Sequence, residues 1–377
     1  MWFLMIALVS VNLFWGYYFY RFFKRMFKTF GANTKKKWVR ILIATGAFGL
    51  ALSTCSIWSY TCIIVFQLAL FIPLVQFANF IVKKLAKEKY ENGFVRWKRV
   101  YGSGMIPIAL TILMILYGYW NLHHVVDTPY TVYTDKNIRE EGYRVVFLAD
   151  VHFGVSIDYE DLLETCEEIS SVGADIVVLG GDIVDNATTK EEMQQVFQAF
   201  GTIESRYGVY YIYGNHDRSM SLLANAFNTE ELVRTIEENG ITILQDDVVR
   251  INGDLVMIGR EDASRERSGA GRMPINDLLA DVNPNAFLLM LDHQPNQYKE
   301  NAEAGIDLIL SGHTHAGQFF PLNWVYEVIK LDDAVYGHYR IDDMQAIVTS
   351  GFADWNYPVK TAGPAEYIVV DIRKEKE

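Results

Sequence analysis

Residues 209–217 read VYYIYGNHD. Five apolar or aromatic residues mark a buried strand, which stops at Gly214, Asn215, His216 and Asp217. An amide, an imidazole and a carboxylate directly after a core strand are costly in an apolar interior unless they meet a partner. The glycine ahead of them lets the backbone turn without a Cβ in the way.

The same ending recurs along the chain. YRVVFLAD (143–150), DIVVLGGD (175–182), DLVMIG (254–259), FLLMLDH (287–293) and DLILSGH (307–313) also read as strands. Counting VYYIYGNHD, five of the six end in metal-ligand residue types: Asp150 and His152, Asp182 and Asp185, Asn215 to Asp217, Asp292 and His293, His313 and His315. Amphipathic spacing predicts helices over 159–171, 190–203 and 229–240, and TPYTVYT (128–134) alternates like a strand. Helices set between buried strands predict a layered α/β domain. Ligands bind at the carboxyl ends of strands in such domains, so the five clusters are expected to converge on one crevice.

Oxygen donors (Asp150, Asp182, Asn215) mixed with imidazoles (His152, His293, His313, His315) suit borderline divalent ions such as Mn, Fe or Zn. Seven side chains exceed a single tetrahedral site but fit two ions sharing a carboxylate. A structural zinc site would use thiolates, and the three cysteines stand apart from these motifs. Cys55 and Cys62 are expected as small residues of membrane helices and Cys166 as a core residue.

The first third of the chain is different. Apolar runs at about 1–20, 41–58, 61–82 and 105–122 are each long enough to cross a bilayer, which takes about 20 residues. No basic residue precedes the first run's core, so it is expected as a retained helix and not a signal peptide. The expected organisation is a transmembrane domain over 1–125 and a second domain over 126–377. Residues 1–125 hold 15 Lys and Arg, in two clusters at 21–40 and 83–99, and only Glu88 and Glu91 as acids. The positive-inside rule puts both clusters in the cytoplasm, leaving the N-terminus and the second domain extracytoplasmic. His123 and His124, just past the fourth run, are expected as interfacial anchors. Residues 126–377 carry 19 basic and 44 acidic side chains, a net of −25, which argues against nucleic acid as a partner.

The series Asp150-x-His152, Gly181-Asp182-x-x-Asp185, Gly214-Asn215-His216-Asp217, His293 and Gly312-His313-x-His315 resembles the calcineurin-like metallophosphoesterase superfamily. With the apolar N-terminal runs, GHTHAGQ (312–318) resembles its membrane-associated bacterial branch, which is similar to the UDP-diacylglucosamine hydrolases. The resemblance implies an α/β/β/α sandwich behind four transmembrane helices, and a two-metal site. Asp150, His152 and His315 would hold one ion and Asn215, His293 and His313 the other, with Asp182 bridging. A hydroxide between the ions would attack phosphorus, and His216, oriented by Asp185, would protonate the leaving oxygen. Asp217 is expected as a turn residue.

Asn186 stands where phosphoprotein phosphatase relatives carry a phosphate-gripping arginine, so phosphate contacts are sought at Arg218, Arg260 and Arg265. The implied function is a membrane-anchored phosphoesterase acting on a lipid-linked or cell-envelope phosphoester, with membrane lipids as its surroundings. The competing reading is a non-catalytic membrane sensor, which has no use for a leaving-group acid.

Overall fold

The computed structural model describes residues 2–55, 60–218, 227–267, 269 and 271–375. The chain divides into two compact units, Met1–Tyr117 and Gly118–Glu377.

The first unit is helical. Helices Trp2–Thr29, Lys37–Leu52, Tyr60–Leu85 and Met105–Leu122 fall on the four apolar runs, the last running on past Tyr117, and Lys87–Asn92 and Val95–Ser103 are shorter. Phe19, Phe22, Ala47, Val65, Ala69 and Ile72 form its buried core. Four membrane-length helices are expected from the sequence. Among the described residues, Tyr60–Leu85 and Met105–Leu122 are the two long and apolar enough to cross a membrane, with mean hydropathies of 2.1 and 1.6.

Lys37–Leu52 has 16 residues, so it spans about 24 Å against a hydrocarbon core of about 30 Å. It gives way to a 3₁₀ turn at Ser53–Cys55, and the rest of the predicted run, 56–58, lies outside the described residues. Trp2–Thr29 carries the first predicted run, 1–20, and the side chains of residues 1–8 lie outside the described residues.

The second unit holds two six-stranded sheets. Its strands are β1 Val126–Thr134, β2 Tyr143–Leu148, β3 Ile176–Leu179, β4 Val209–Tyr211, β5 Ile241–Ile243 and β6 Asp247–Ile251. They continue with β7 Leu255–Gly259, β8 Phe287–Leu291, β9 Leu308–Ser311, β10 Gly337–Ile341, β11 Met344–Val348 and β12 Glu366–Lys374. One sheet runs β1-β12-β2-β3-β4-β5 and the other β10-β11-β9-β8-β7-β6.

Side-chain alternation builds the layers. Val145 and Phe147 point between the sheets, where they join Ile176, Val178, Met257, Leu289 and Leu310. Val146 and Leu148 point the other way, under Leu162 and Ile169 of helix Tyr159–Ser171 and Val196 and Phe197 of helix Lys190–Phe200. The far face of the second sheet packs Ile258, Met290 and Ile309 against Leu278 and Tyr298. The order is therefore helix, sheet, sheet, helix. Cys166 is buried in the first of these layers.

Strands β2, β3 and β4 are parallel, as are β7, β8, β9 and β11, so within each sheet the carboxyl ends point one way. The largely apolar, buried β2, β3, β8 and β9 are the strands that the sequence makes obvious. The strands β5, β6 and β10 to β12 go beyond the sequence reading: β5, β6 and β10 are short and partly exposed.

Glu366, at the start of β12, ties the two sheets together. Its fully buried carboxylate accepts hydrogen bonds from Thr128 Oγ1 on β1, Thr349 Oγ1 at 3.0 Å and the Ser350 amide at 2.9 Å, both just past β11. Glu366→Ala leaves the buried Thr349 hydroxyl and Ser350 amide and the partly buried Thr128 hydroxyl unpaired, at about 1–3 kcal/mol for each buried donor. A loss of about 3 kcal/mol or more is expected in a denaturant titration of the full chain, with the urea midpoint as the readout.

Candidate metal centre

The carboxyl ends of β2, β3 and β4 in one sheet and of β8 and β9 in the other deliver the motif residues to one crevice. Asp150 and His152 follow β2, Asp182 and Asp185 follow β3, and Asn215 and His216 follow β4. His293 follows β8, and His313 and His315 follow β9. Asp150, His152 and His315 offer ligand atoms within 4.8 Å of one another, and so do Asp182, His293 and His313.

Asp182 is the junction. Its Oδ2 lies 3.1 Å from His293 Nε2 and 3.8 Å from His152 Nε2, and its Oδ1 accepts the His216 amide at 2.7 Å. Asp150 Oδ1 lies 3.6 Å from His315 Nε2 and 4.0 Å from His293 Nε2, and both its oxygens accept the His313 amide. His293 is oriented by Nδ1 against the Gly180 carbonyl at 2.8 Å, and His152 by Nδ1 against Asp185 Oδ2 at 2.8 Å. Fixing the remote nitrogen frees Nε2 for the crevice in both rings. His216 sits on the rim with its side chain 20% exposed and Nδ1 3.5 Å from Asp185 Oδ2. The Trp355 ring packs 5.6 Å from it.

The donor set fits divalent cations. Two buried carboxylates and imidazoles from both sheets crowd within ligand distance, and burial, helped by the nearby Asp182 charge, pushes the Asp150 carboxyl up against the pull of His293. For Asp182, burial is outweighed by His293, which holds its pKa well down. Conversely, burial opposes the His293 imidazolium, but Asp182 and Asp150 raise its pKa far above the ordinary value. Protons thus balance the buried carboxylates where cations can. Burial, then His293, lowers His313 to about 4, and burial, then His152, lowers His315 well below the usual range. Both rings are neutral at pH 7, as ligands require.

The backbone is contorted to achieve this. Asp150, His152, Asp182, His313 and His315 all have positive φ, between 43° and 71°. Such conformations cost non-glycine residues about 1–3 kcal/mol each and persist where the surroundings over-determine them. The turning is thus done largely by the ligand residues themselves, and the glycines serve a different purpose than the one expected. Of Gly181, Gly214 and Gly312, Gly181 is the one that turns the chain with positive φ, at 90°. Gly214 and Gly312 make room: a Cβ on Gly214 would lie 2.2 Å from Asp182 Oδ1, and one on Gly312 would lie 2.5 Å from Asp150 Oδ2.

Asp217 does more than turn the chain. Its buried carboxylate accepts the amides of Asp182 at 2.8 Å, Ile183 at 2.8 Å, Val184 at 3.1 Å and Gly214 at 2.6 Å, locking the β3 and β4 loops together. Asp292 turns away from the crevice to pair with Arg272, both fully buried. Arg260 is buried and faces Asp246 and the Met273 carbonyl. Arg218 donates to both Glu261 oxygens at 2.6 Å and lies over the Tyr213 ring. Arg265 stands on the short helix Ser264–Arg267.

Asp354 and Lys360 are contributors beyond the sequence reading. Asp354 Oδ1 faces His315 Nδ1 at 3.7 Å and Lys360 Nζ at 3.7 Å, and all three are buried. Lys360 Nζ donates to the carbonyls of Ser350, Gly351 and Ala353. Burial raises the Asp354 pKa and lowers that of Lys360. The apolar stretch 344–354, which also ends in an aspartate, carried the signal.

The domain that holds this crevice is similar to metallophosphoesterases. Residues 143–317 match the family model described as calcineurin-like phosphoesterase, and the chain carries a calcineurin-like metallophosphoesterase domain. A Helicobacter pylori protein named uncharacterized metallophosphoesterase is 27% identical over 64% of this chain. The match spans 62% of that relative's own length. A Danio rerio protein named transmembrane protein with metallophosphoesterase domain is 25% identical over 82% of this chain and 72% of its own. An Aquifex aeolicus metallophosphoesterase is 24% identical over 70% of this chain and 98% of its own.

Gly214→Ala should break the centre while sparing the fold. The new methyl must displace the Asp182 carboxylate, and misplacement by about 1 Å costs about 10²-fold in turnover. Metal content by elemental analysis should fall together with phosphoester hydrolysis, while the far-ultraviolet circular dichroism stays unchanged.

Proposed function

We propose that the protein is a membrane-anchored, two-metal phosphoesterase, with a membrane domain over 1–125 and a catalytic domain over 126–377. Asp150, His152 and His315 would hold one ion, Asn215, His293 and His313 the other, and Asp182 would bridge them. The observation that carries this reading is the pair of three-residue groups, Asp150–His152–His315 and Asp182–His293–His313, meeting in one crevice with His216 on its rim.

Bound divalent ions supply a water of lowered pKa and neutralise charge on the phosphoryl oxygens. The chain's own residues do the rest. His216 projects from the loop after β4, where the Asp182 carboxylate holds its amide and Asp185 faces its Nδ1. That pairing leaves Nε2 to protonate the departing oxygen. Asp185 contacts both His152 and His216, so one carboxylate orients a ligand and the acid together. Asp217 fixes the relative position of the two loops that carry Asp182 and Asn215.

Membrane attachment is supported by the two apolar helices, Tyr60–Leu85 and Met105–Leu122. Trp2–Thr29 and Lys37–Leu52 would complete a four-helix anchor, with the basic stretches 21–40 and 83–99 in the cytoplasm and the catalytic domain outside. The substrate is then a phosphoester of the cell envelope or of a lipid.

The test is hydrolysis of p-nitrophenyl phosphate and bis-p-nitrophenyl phosphate by the full chain in detergent, with added Mn. His216→Ala should keep its metal and lose about 10²–10⁴-fold in turnover, as loss of a general acid does. Metal-replete protein that cleaves neither ester, or a His216→Ala variant that has lost its metal, would overturn the assignment.

A further inference from the structure

Helix Leu322–Ile329 begins seven residues after His315 and buries none of its side chains. Beside Glu327, its exposed residues are large and apolar: Trp324, Val325, Val328 and Ile329, with Leu331 just beyond, and Val328 is 82% exposed. At 100° per residue the four helical positions span an arc of about 140°, with Asn323 and Glu327 outside it. A continuous apolar stripe of this kind on a soluble surface marks an interaction site. Short helices with one apolar face and a tryptophan are suited to lie in a membrane interface.

What covers the stripe follows from its neighbours. Helix Met105–Leu122 is long and apolar enough to cross a bilayer, so the bilayer surface lies at its last turn. Tyr119 and Trp120, both more than half exposed there, are the residues that favour a headgroup region, and the rings of His123 and His124 pack on them. Asn121 Nδ2 clamps this turn by donating to the carbonyls of Lys360 at 2.9 Å and Gly363 at 2.7 Å. The Lys360 amide in turn donates to the Gly118 carbonyl.

The same loop holds the root of the apolar helix. The amides of Thr361 and Ala362 donate to the Gln318 carbonyl, and the Phe320 amide donates to Thr361 Oγ1 at 2.9 Å. One loop, 360–363, therefore bridges the end of a membrane-length helix and the start of an exposed apolar one. Gln318 Nε2 also donates to the Trp355 carbonyl, and the Trp355 ring packs beside His216.

We propose that helix Leu322–Ile329 inserts its apolar stripe into the bilayer surface and opens the crevice, beside Trp355, to phosphoesters carried by membrane lipids. The inference rests on the phosphoesterase reading above and narrows its substrate to a class: esters whose phosphate stands at the headgroup level of the bilayer in which the protein is anchored. The dominant attraction is apolar, since a domain of net charge −25 over 126–377 draws no help from anionic lipid.

Two measurements on the full chain in lipid nanodiscs test it. The first compares tryptophan quenching by brominated acyl chains in the wild type and in Trp324→Phe. The difference isolates Trp324, and it should be quenched at least twofold by brominated lipid. A Trp324 signal equal in brominated and plain lipid, as for a helix covered by a protein, overturns the proposal.

The second compares a phosphatidic acid in the bilayer with p-nitrophenyl phosphate in solution. Val328→Glu with Ile329→Glu should lower the ratio of lipid to soluble turnover at least tenfold. An unchanged ratio overturns the proposal while leaving the phosphoesterase reading intact. Absence of soluble turnover in metal-loaded wild type overturns that reading instead, and Trp324 quenching reports on the helix in either case.

Discussion

The Asp182 carboxylate is the point on which the second unit turns. It faces His293 from one sheet and His152 from the other strand of its own sheet, and it accepts the amide of His216. Those contacts exist only because Gly214 has no side chain where the carboxylate lies and because Asp217 holds both loops at a fixed spacing. A carboxylate this deeply buried is tolerable only with compensating charge. The crevice supplies it through the imidazoles of His293 and His152.

The cost of that arrangement is distributed around it. Five residues of the crevice sit in the left-handed region of backbone space, each at an energetic penalty. The surrounding layers absorb the strain: apolar strands β2, β3, β8 and β9 are buried on both faces, and Glu366 stitches the outer strands to the loop after β11. A rigid two-sheet core is thus what lets the ligand residues hold conformations they would leave in an isolated loop.

Much of this was legible in the chain. An apolar run with an Asp or His at its end announces both a buried strand and a group that needs a partner, and the motif residues of Asp150, Asp182, Asn215, His293 and His313 were found that way. Helix Tyr159–Ser171 was legible because its apolar residues recur on one face and Asp158 caps it. Less legible were β5, β6 and β10, whose half-exposed residues dilute the strand pattern. The second helix of the first unit was overextended because hydropathy marks apolar residues and not where a helix stops, here at Leu52.

The sequence by itself determined which side chains of metal-ligand type end the buried strands, their order along the chain, and the separation of an apolar basic third from an acidic α/β remainder. Those are properties of composition and local pattern. Only the tertiary structure decided which arginines are spent: Arg260 lies under the surface, Arg218 answers Glu261, and Arg272 answers Asp292. It also decided that Gly214 and Gly312 provide space more than a turn, that Asp217 is a clamp, and that Asp354 and Lys360 stand behind His315. The physical reason is common to all of them. Burial, pairing and steric room depend on residues far apart in the chain, and no local pattern encodes a neighbour that arrives from another sheet.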